Sequence, residues 1–369
     1  MPGKKRPTLK PAAYLVDVAP TAGPRWIDLE SPPRRIEGFP LVDGVAKPQW
    51  VDLPRRQILS GAQTFALPDG ARKLKLYDPT DAPVFKTIRL GLNVRKRFLF
   101  VSEGFGGDEK QFFAACEGMA NKLLKTEPFK TVESSIGIDG LFLPLRGGAV
   151  VDIECGRSAV DDAKLQPTLF GTQSCLTNVM KQLWGGDEDR VRALVAKSLK
   201  QKSGPLIGEF DFLAILIKSS SYGGAGSSGP ADLKPRIAWA TTDNASSFYI
   251  LLHELGHAFE LQDEYIDAYE GPKKPWHNIS VKPEPKNTPW EKLVTENRDD
   301  LTWPKDKTWT GSEKAVGTFQ GAGYHPDDRY RPSYDCRMRN IAQPFCPVCT
   351  AVILDKLVPA AENRVGEET

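Results

Sequence analysis

His253-Glu254-Leu255-Gly256-His257-Ala258-Phe259-Glu260-Leu261-Gln262-Asp263-Glu264-Tyr265 is the stretch that decides how this chain reads. On a helix, residues four apart are offset by only about 40° around the axis, so His253 and His257 project from one face. Both can reach a single ion. Glu254 lies about 100° from His253, which places its carboxylate beside that ion without making it a ligand. The chain has only four histidines, and two of them sit here. This is the His-Glu-x-x-His pattern of helical zinc sites, in which a carboxylate takes a proton from an acidified water. The alternative is a helix whose histidines simply hydrogen-bond to Glu254, Glu260 or Asp263.

The neighbouring residues predict a buried helix. Thr241-Thr242-Asp243-Asn244 supplies N-cap candidates, and Phe248-Tyr249-Ile250-Leu251-Leu252 is apolar on nearly all sides. A buried helix carrying two His and two Glu needs a reason for its polar groups, and a metal supplies one.

Zinc peptidases use three protein ligands and leave one position open. On a continued helix Asp263 would lie about 9 Å beyond His257 along the axis. The chain therefore has to turn between them. Metzincin-type peptidases turn at a Gly three residues after the second His, and place the last ligand three residues later. Asp263 occupies that ligand position, and Glu260 the Gly position. A non-Gly residue in the left-handed conformation costs on the order of 1 kcal/mol. Asp263 is the first choice for third ligand, with Glu264, His277 and His325 as further candidates.

The chain's 369 residues suffice for two domains, and its formal net charge of +2 marks no nucleic-acid or membrane surface. No apolar run reaches the ~20 residues a membrane helix needs. The basic start, Lys4-Lys5-Arg6, has no apolar stretch after it, so no signal peptide is read. The expected location is cytoplasmic as made, with a specialised export route as the option. Of six cysteines, Cys336, Cys346 and Cys349 cluster near the C-terminus. Buried thiols or a disulfide are expected there, ahead of a separate zinc site, because only one Cys-x-x-Cys is present.

Residues 1–92 read as an arm and a small β domain of sandwich type, with short apolar runs at Trp26-Ile27-Asp28-Leu29, Trp50-Val51-Asp52-Leu53 and Lys73-Leu74-Lys75-Leu76-Tyr77. Residues 93–357 read as an α/β domain with a mixed sheet, and 358–369 as a tail. Strands are expected at Phe98-Leu99-Phe100-Val101-Ser102, Ile136 to Leu143 and Phe212 to Lys218, and helices from Asp108 to Lys125, Thr177 to Leu183 and Glu188 to Lys200. Phe112, Cys116, Met119, Ala120 and Leu123 fall at helical spacing and read as core. Ser219 to Gly229 lacks the ending of a P-loop and reads as a flexible loop near the cleft, bordering bound substrate. Residues 266–335 read as a long irregular wall or lid.

From about Phe98 to Leu357 the chain resembles the IgA peptidase family of bacterial zinc metallopeptidases. Four features carry the resemblance. They are Lys125-Thr126-Glu127-Pro128-Phe129-Lys130 after the first strand and helix, Tyr222-Gly223-Gly224, the helix running to Asp263-Glu264-Tyr265, and Tyr330-Arg331-Pro332 with Cys336-Arg337-Met338-Arg339 and Phe345-Cys346-Pro347-Val348-Cys349. The resemblance implies a metzincin-like catalytic domain behind a small all-β domain. It implies one Zn2+ per chain, held by His253, His257 and Asp263, with Glu254 as general base and Met338 as the methionine packed beneath the metal. The expected partner is a protein or peptide substrate. Tyr330 and Tyr334, near that methionine, are candidates for stabilising the oxyanion. The rival reading is a retired peptidase fold that serves as a binding module in a larger assembly, and the sequence leaves oligomeric state open.

Overall fold

The computed structural model describes residues 78–145, 168–172, 188–226, 234–266, 275–295 and 315–358, together with short strands elsewhere whose backbone alone is considered. Near the N-terminus β1 (Ala13–Asp17) pairs antiparallel with β2 (Arg25–Ile27) and with β5 (Arg72–Leu76). A small pair, β3 (Leu41–Val42) and β4 (Val45–Ala46), lies between them in sequence. The expected run at 50–53 falls outside the described residues.

The centre is a six-stranded mixed sheet. It contains β6 (Val84–Leu90), β7 (Lys96–Glu103), β8 (Ile136–Phe142), β12 (Phe212–Ile217), β13 (Gly224–Gly226) and β14 (Arg236–Thr241) in the order β13-β14-β12-β7-β8-β6. The four inner strands run parallel and both edges are antiparallel. β6 comes from residues that the sequence placed with the N-terminal β part.

The inner strands are continuous apolar runs because both of their faces are covered. Successive side chains alternate between two cores. Phe98, Phe100, Phe212, Ala214, Leu216, Ala238 and Ala240 face one side, where they meet α1 (Glu109–Leu123), α3 (Ser247–Ala258) and α4 (Pro347–Leu357). Leu99, Val101, Leu213, Ile215, Ile217, Ile237 and Trp239 face the other, where α2 (Glu188–Gln201) packs through Val191, Leu194, Val195 and Leu199. The result is a three-layer α/β arrangement. Asp108 caps α1 by accepting the Gln111 amide at 2.9 Å, and the five residues read as its core stripe are all buried.

Three expectations change. The helix read over Thr177 to Leu183 is not formed at its C-terminal end. Lys181–Trp184 is β11, paired antiparallel with β10 (Gln173–Leu176), which runs parallel to β9 (Asp152–Glu154). Cross-strand pairing, which one segment's pattern does not reveal, overrides the local helical spacing there. The cap of α3 falls two residues later than Asn244, at Ser246. Asn244 instead turns the chain, accepting the Ser246 amide on its own side chain at 2.9 Å. Finally, the region 266–335 contains a hairpin, β15 (Phe319–Ala322) and β16 (His325–Arg331). Its two-residue turn, Gly323-Tyr324, has φ of +56° and +69°. Type I′ hairpin turns require positive φ at both positions. Among the described residues no helix is long and apolar enough to cross a membrane.

Candidate metal centre

α3 leaves the C-terminal end of β14, and its buried face carries His253 and Glu254. Gly256 lies on the same helix directly against Met338, in space that a Cβ would need. The helix then stops where the motif needs a turn. Leu261 N donates to Gly256 O at 3.0 Å and Glu260 N to His257 O at 2.8 Å, the two bonds of a Schellman end. Glu260 occupies the left-handed position at φ +67°. Its side chain compensates: Oε1 pairs with Lys356 Nζ at 2.8 Å and Oε2 with His277 Nε2 at 3.2 Å.

The reversal brings Asp263 back to the histidines. Oδ1 of Asp263 lies 3.0 Å from His253 Nε2 and 3.3 Å from His257 Nε2. The three ligand-capable atoms are within 4.8 Å of one another. Each imidazole is anchored at its other nitrogen: His253 Nδ1 donates to Arg337 O, and His257 Nδ1 to Leu261 O, both at 2.9 Å. A carbonyl can only accept, so Nδ1 carries the hydrogen. In a neutral ring Nε2 then presents a lone pair. Two lone pairs and a carboxylate oxygen converging on one point repel, unless a cation lies between them or both rings carry an extra proton. Asp263 Oδ1 has no hydrogen bond of acceptable geometry. The donor set of two imidazoles and a carboxylate, each oriented by a further hydrogen bond, fits a divalent metal.

The three groups are also coupled electrostatically. Burial alone would lower the His257 imidazole, but the Asp263 carboxylate outweighs it and pushes it up to about 9. Burial would raise the Asp263 carboxyl, yet the two histidines hold it far below the usual carboxylate range. Burial raises Glu254, against the pull of the two histidines.

Glu254 packs over the edge strand β13. A Cβ on Gly224 would lie 2.6 Å from Glu254 Cγ, and one on Gly226 would lie 2.5 Å from His257 Cβ. The glycines expected to form a loose loop are thus the surface that lets β13 approach α3; residues 227–229 of that segment lie outside the described residues.

Of the candidates for third position, Asp263 is the one the structure brings to the histidines. Glu264 points away into a cluster of cysteines, His277 pairs with Glu260, and His325 pairs with Asp328 at 3.4 Å. Tyr330 and Tyr334 are placed elsewhere: Tyr334 packs on Phe319 and under the guanidiniums of Arg331 and Arg339, and Tyr330 lies half-buried on β16, its backbone paired with Ser280. Sequence proximity to Met338 does not bring either side chain into contact with the histidines or Asp263 among the contacts of the described residues. The tyrosines that reach the site are Tyr324 and Tyr265. Tyr324 donates its phenol to Asp263 Oδ2, and Tyr265 lies 3.5 Å from the Tyr324 hydroxyl. The hairpin turn is docked by Gly323 N to Asp263 O and Tyr324 N to Tyr265 O, both at 2.9 Å. The signal for Tyr324 was Gly321-Ala322-Gly323, a turn between two potential strands. The phenol of Tyr222, an exposed residue, is pushed up by partial burial and then by the charge of Glu254.

In this three-layer α/β domain the His-Glu-x-x-His helix at the end of a parallel strand presents a group of residues that could hold a metal ion. The chain belongs to the family described as IgA Peptidase M64, whose model matches residues 93–311, well over half of the sequence. That is a family of metallopeptidases, so the chain is assigned to the hydrolases acting on peptides. The match covers the central sheet from β7 onward, α3 and Asp263; Tyr324 and Met338 lie beyond it. No curated protein matches the chain.

Proposed function

We propose that this chain is a zinc-dependent endopeptidase whose metal is held by His253, His257 and Asp263, with Glu254 as general base. The observation that carries the reading is the convergence of His253 Nε2, His257 Nε2 and Asp263 Oδ1, with Glu254 on the same helix. Imidazole and carboxylate ligands in a three-membered set with an open position suit zinc. When bound, the ion supplies Lewis acidity, polarising the scissile carbonyl and acidifying the attacking water.

The chain's own residues do the rest. Glu254 Oε accepts the proton of the attacking water and delivers it to the leaving amine. Burial raises its proton affinity above that of an exposed carboxylate. The Arg337 and Leu261 carbonyls fix the histidine tautomers. Tyr324 holds Asp263 by Oδ2, which leaves Oδ1 to the metal. Met338, against Gly256, supports the ligand helix from below and is the counterpart of the metzincin methionine. The metzincin-like domain would take in β6 as well as residues 93–357, with the residues before β6 as an all-β appendage and 358–369 as a tail.

The test is Glu254→Gln. Peptide hydrolysis should fall by roughly 10²–10⁴-fold, the usual worth of a general base, while metal content stays that of the wild type. Retained turnover in that variant would sink the mechanism.

A further inference from the structure

Behind the metal centre lies a second cluster of ligand-type side chains that catalysis does not use. Cys336, Cys346, Cys349 and Glu264 are all buried, Glu264 completely. One ligand atom from each lies within 4.8 Å of all the others. We propose that these four residues bind a second, structural ion of the zinc class.

The geometry favours an ion over a disulfide. Cys336 Sγ and Cys349 Sγ are 3.7 Å apart. A disulfide would need about 2.05 Å. Thiolates arranged tetrahedrally around zinc at about 2.3 Å stand about 3.8 Å from one another. Cys349 Sγ lies 3.5 Å from Glu264 Oε1. Cys116, Cys336, Cys346 and Cys349 are all free thiols.

A second observation points the same way. Glu264 Oε1 accepts from Asn278 Nδ2 at 2.9 Å, but Oε2 is buried with no hydrogen-bond partner. A carboxylate oxygen left so inside a protein is costly unless a cation satisfies it. The sulfurs are prepared in turn by backbone donors: Cys346 N to Cys336 Sγ at 3.2 Å, and Cys349 N to Cys346 Sγ at 3.5 Å, at the start of α4. Amide donors at a helix N-terminus stabilise thiolates. The guanidiniums of Arg331 and Arg339 both feel the charge of Glu264 and offset the excess negative charge of such a site. Three sulfurs and one oxygen select a soft divalent ion and disfavour calcium or magnesium.

The position gives the ion its role. Glu264 follows Asp263 in sequence, Cys336 lies two residues before Met338, and Cys346 and Cys349 begin α4. The ion would tie the third-ligand segment, the Met338 turn and α4 together, adding to the Glu264 N to Met338 O bond of 2.8 Å. The reading is independent of catalysis.

The experiment is zinc analysis of reduced, full-length protein, with cobalt substitution. Wild type should hold about two zinc per chain and His257→Ala about one. Cobalt-loaded His257→Ala should retain thiolate-to-metal charge-transfer absorption, and adding Cys349→Ser should abolish it. If the Cys349→Ser chain does not fold, the cobalt spectrum of wild type decides alone. Cobalt bound without thiolate absorption, a single zinc that vanishes with His257→Ala, or a native disulfide among these cysteines would each overturn the proposal. A thiolate-bound ion with no second ion in wild type would support it and count against the catalytic centre instead.

Discussion

Tyr324 donates its phenolic hydrogen to Oδ2 of Asp263, so that Oδ1 alone faces the two imidazoles. The two residues are 61 positions apart, and Tyr324 reaches the carboxylate only because it holds φ +69° at a hairpin turn. Such a conformation costs on the order of 1 kcal/mol for a non-Gly residue.

Removing that donor should loosen the metal. Tyr324→Phe keeps the ring and its packing on Tyr265 but frees the carboxylate to rotate. Partners of this kind are worth about 10–100-fold in metal affinity. Chelator competition should show a loss in that range with little change in melting temperature. Unchanged affinity would mean that the phenol serves another purpose.

Gly226→Ala tests the closeness of β13 to the ligand helix. The new Cβ would lie 2.5 Å from His257 Cβ and 2.8 Å from Glu254 O, one side chain and one backbone atom that cannot both move. Overpacking of this kind costs typically about 1–3 kcal/mol. Chemical denaturation should report that loss, and metal affinity should fall with it. A stability equal to wild type would show that the edge strand gives way freely.

Glu260→Gly should change stability little. Glycine relieves the left-handed strain of about 1 kcal/mol, but it gains unfolded-state entropy of roughly 0.5–1 kcal/mol. It also gives up the partly exposed Lys356 pair, worth up to about 1 kcal/mol. Unfolding free energies from denaturant titration within about 1 kcal/mol of wild type are expected. A larger drop would assign the Glu260–Lys356 and Glu260–His277 contacts a greater share in holding the turn.

Glu103, at the end of β7, should make stability depend on pH. Burial pushes its carboxyl up to about 7, although the amides of Leu169 and Phe170 and the charge of Arg190 pull it down. The folded state thus holds a proton that the unfolded chain releases near 4.5. Its stabilisation is full below about pH 4.5, shrinks as pH rises through 7, and is gone above, a change of up to roughly 3 kcal/mol. Glu103→Gln should flatten that part of the profile in thermal melts across this range. A wild-type slope in the variant would assign the pH dependence to other groups.

What the local pattern carried was substantial. The apolar runs at Phe98–Val101 and Phe212–Ile217 announced strands covered on both faces, and the amphipathic stripe from Phe112 to Leu123 announced α1. Both follow from short-range periodicity. The same holds for His253, Glu254 and His257, because a spacing of four on a helix is local geometry. The need for a turn before Asp263 followed from the rise per residue, and Glu260 duly sits at positive φ.

What only the tertiary structure decided lies at long range. No periodicity tells Lys181–Trp184 that β10 will pair with it, or β6 that it will join the sheet through β8. Tyr324, not Tyr330 or Tyr334, stands at Asp263 because a hairpin turn folds back on the segment that follows α3. Glu264, next to Asp263 in the chain, turns to the cysteines because its amide is held by Met338 O and its carboxylate by Asn278 and Cys349. Sequence alone settled which side chains could take part, since residue chemistry and helical spacing are local. Which of them meet was settled by packing, since a contact across 60 or 80 residues exists only once the intervening chain has found its place.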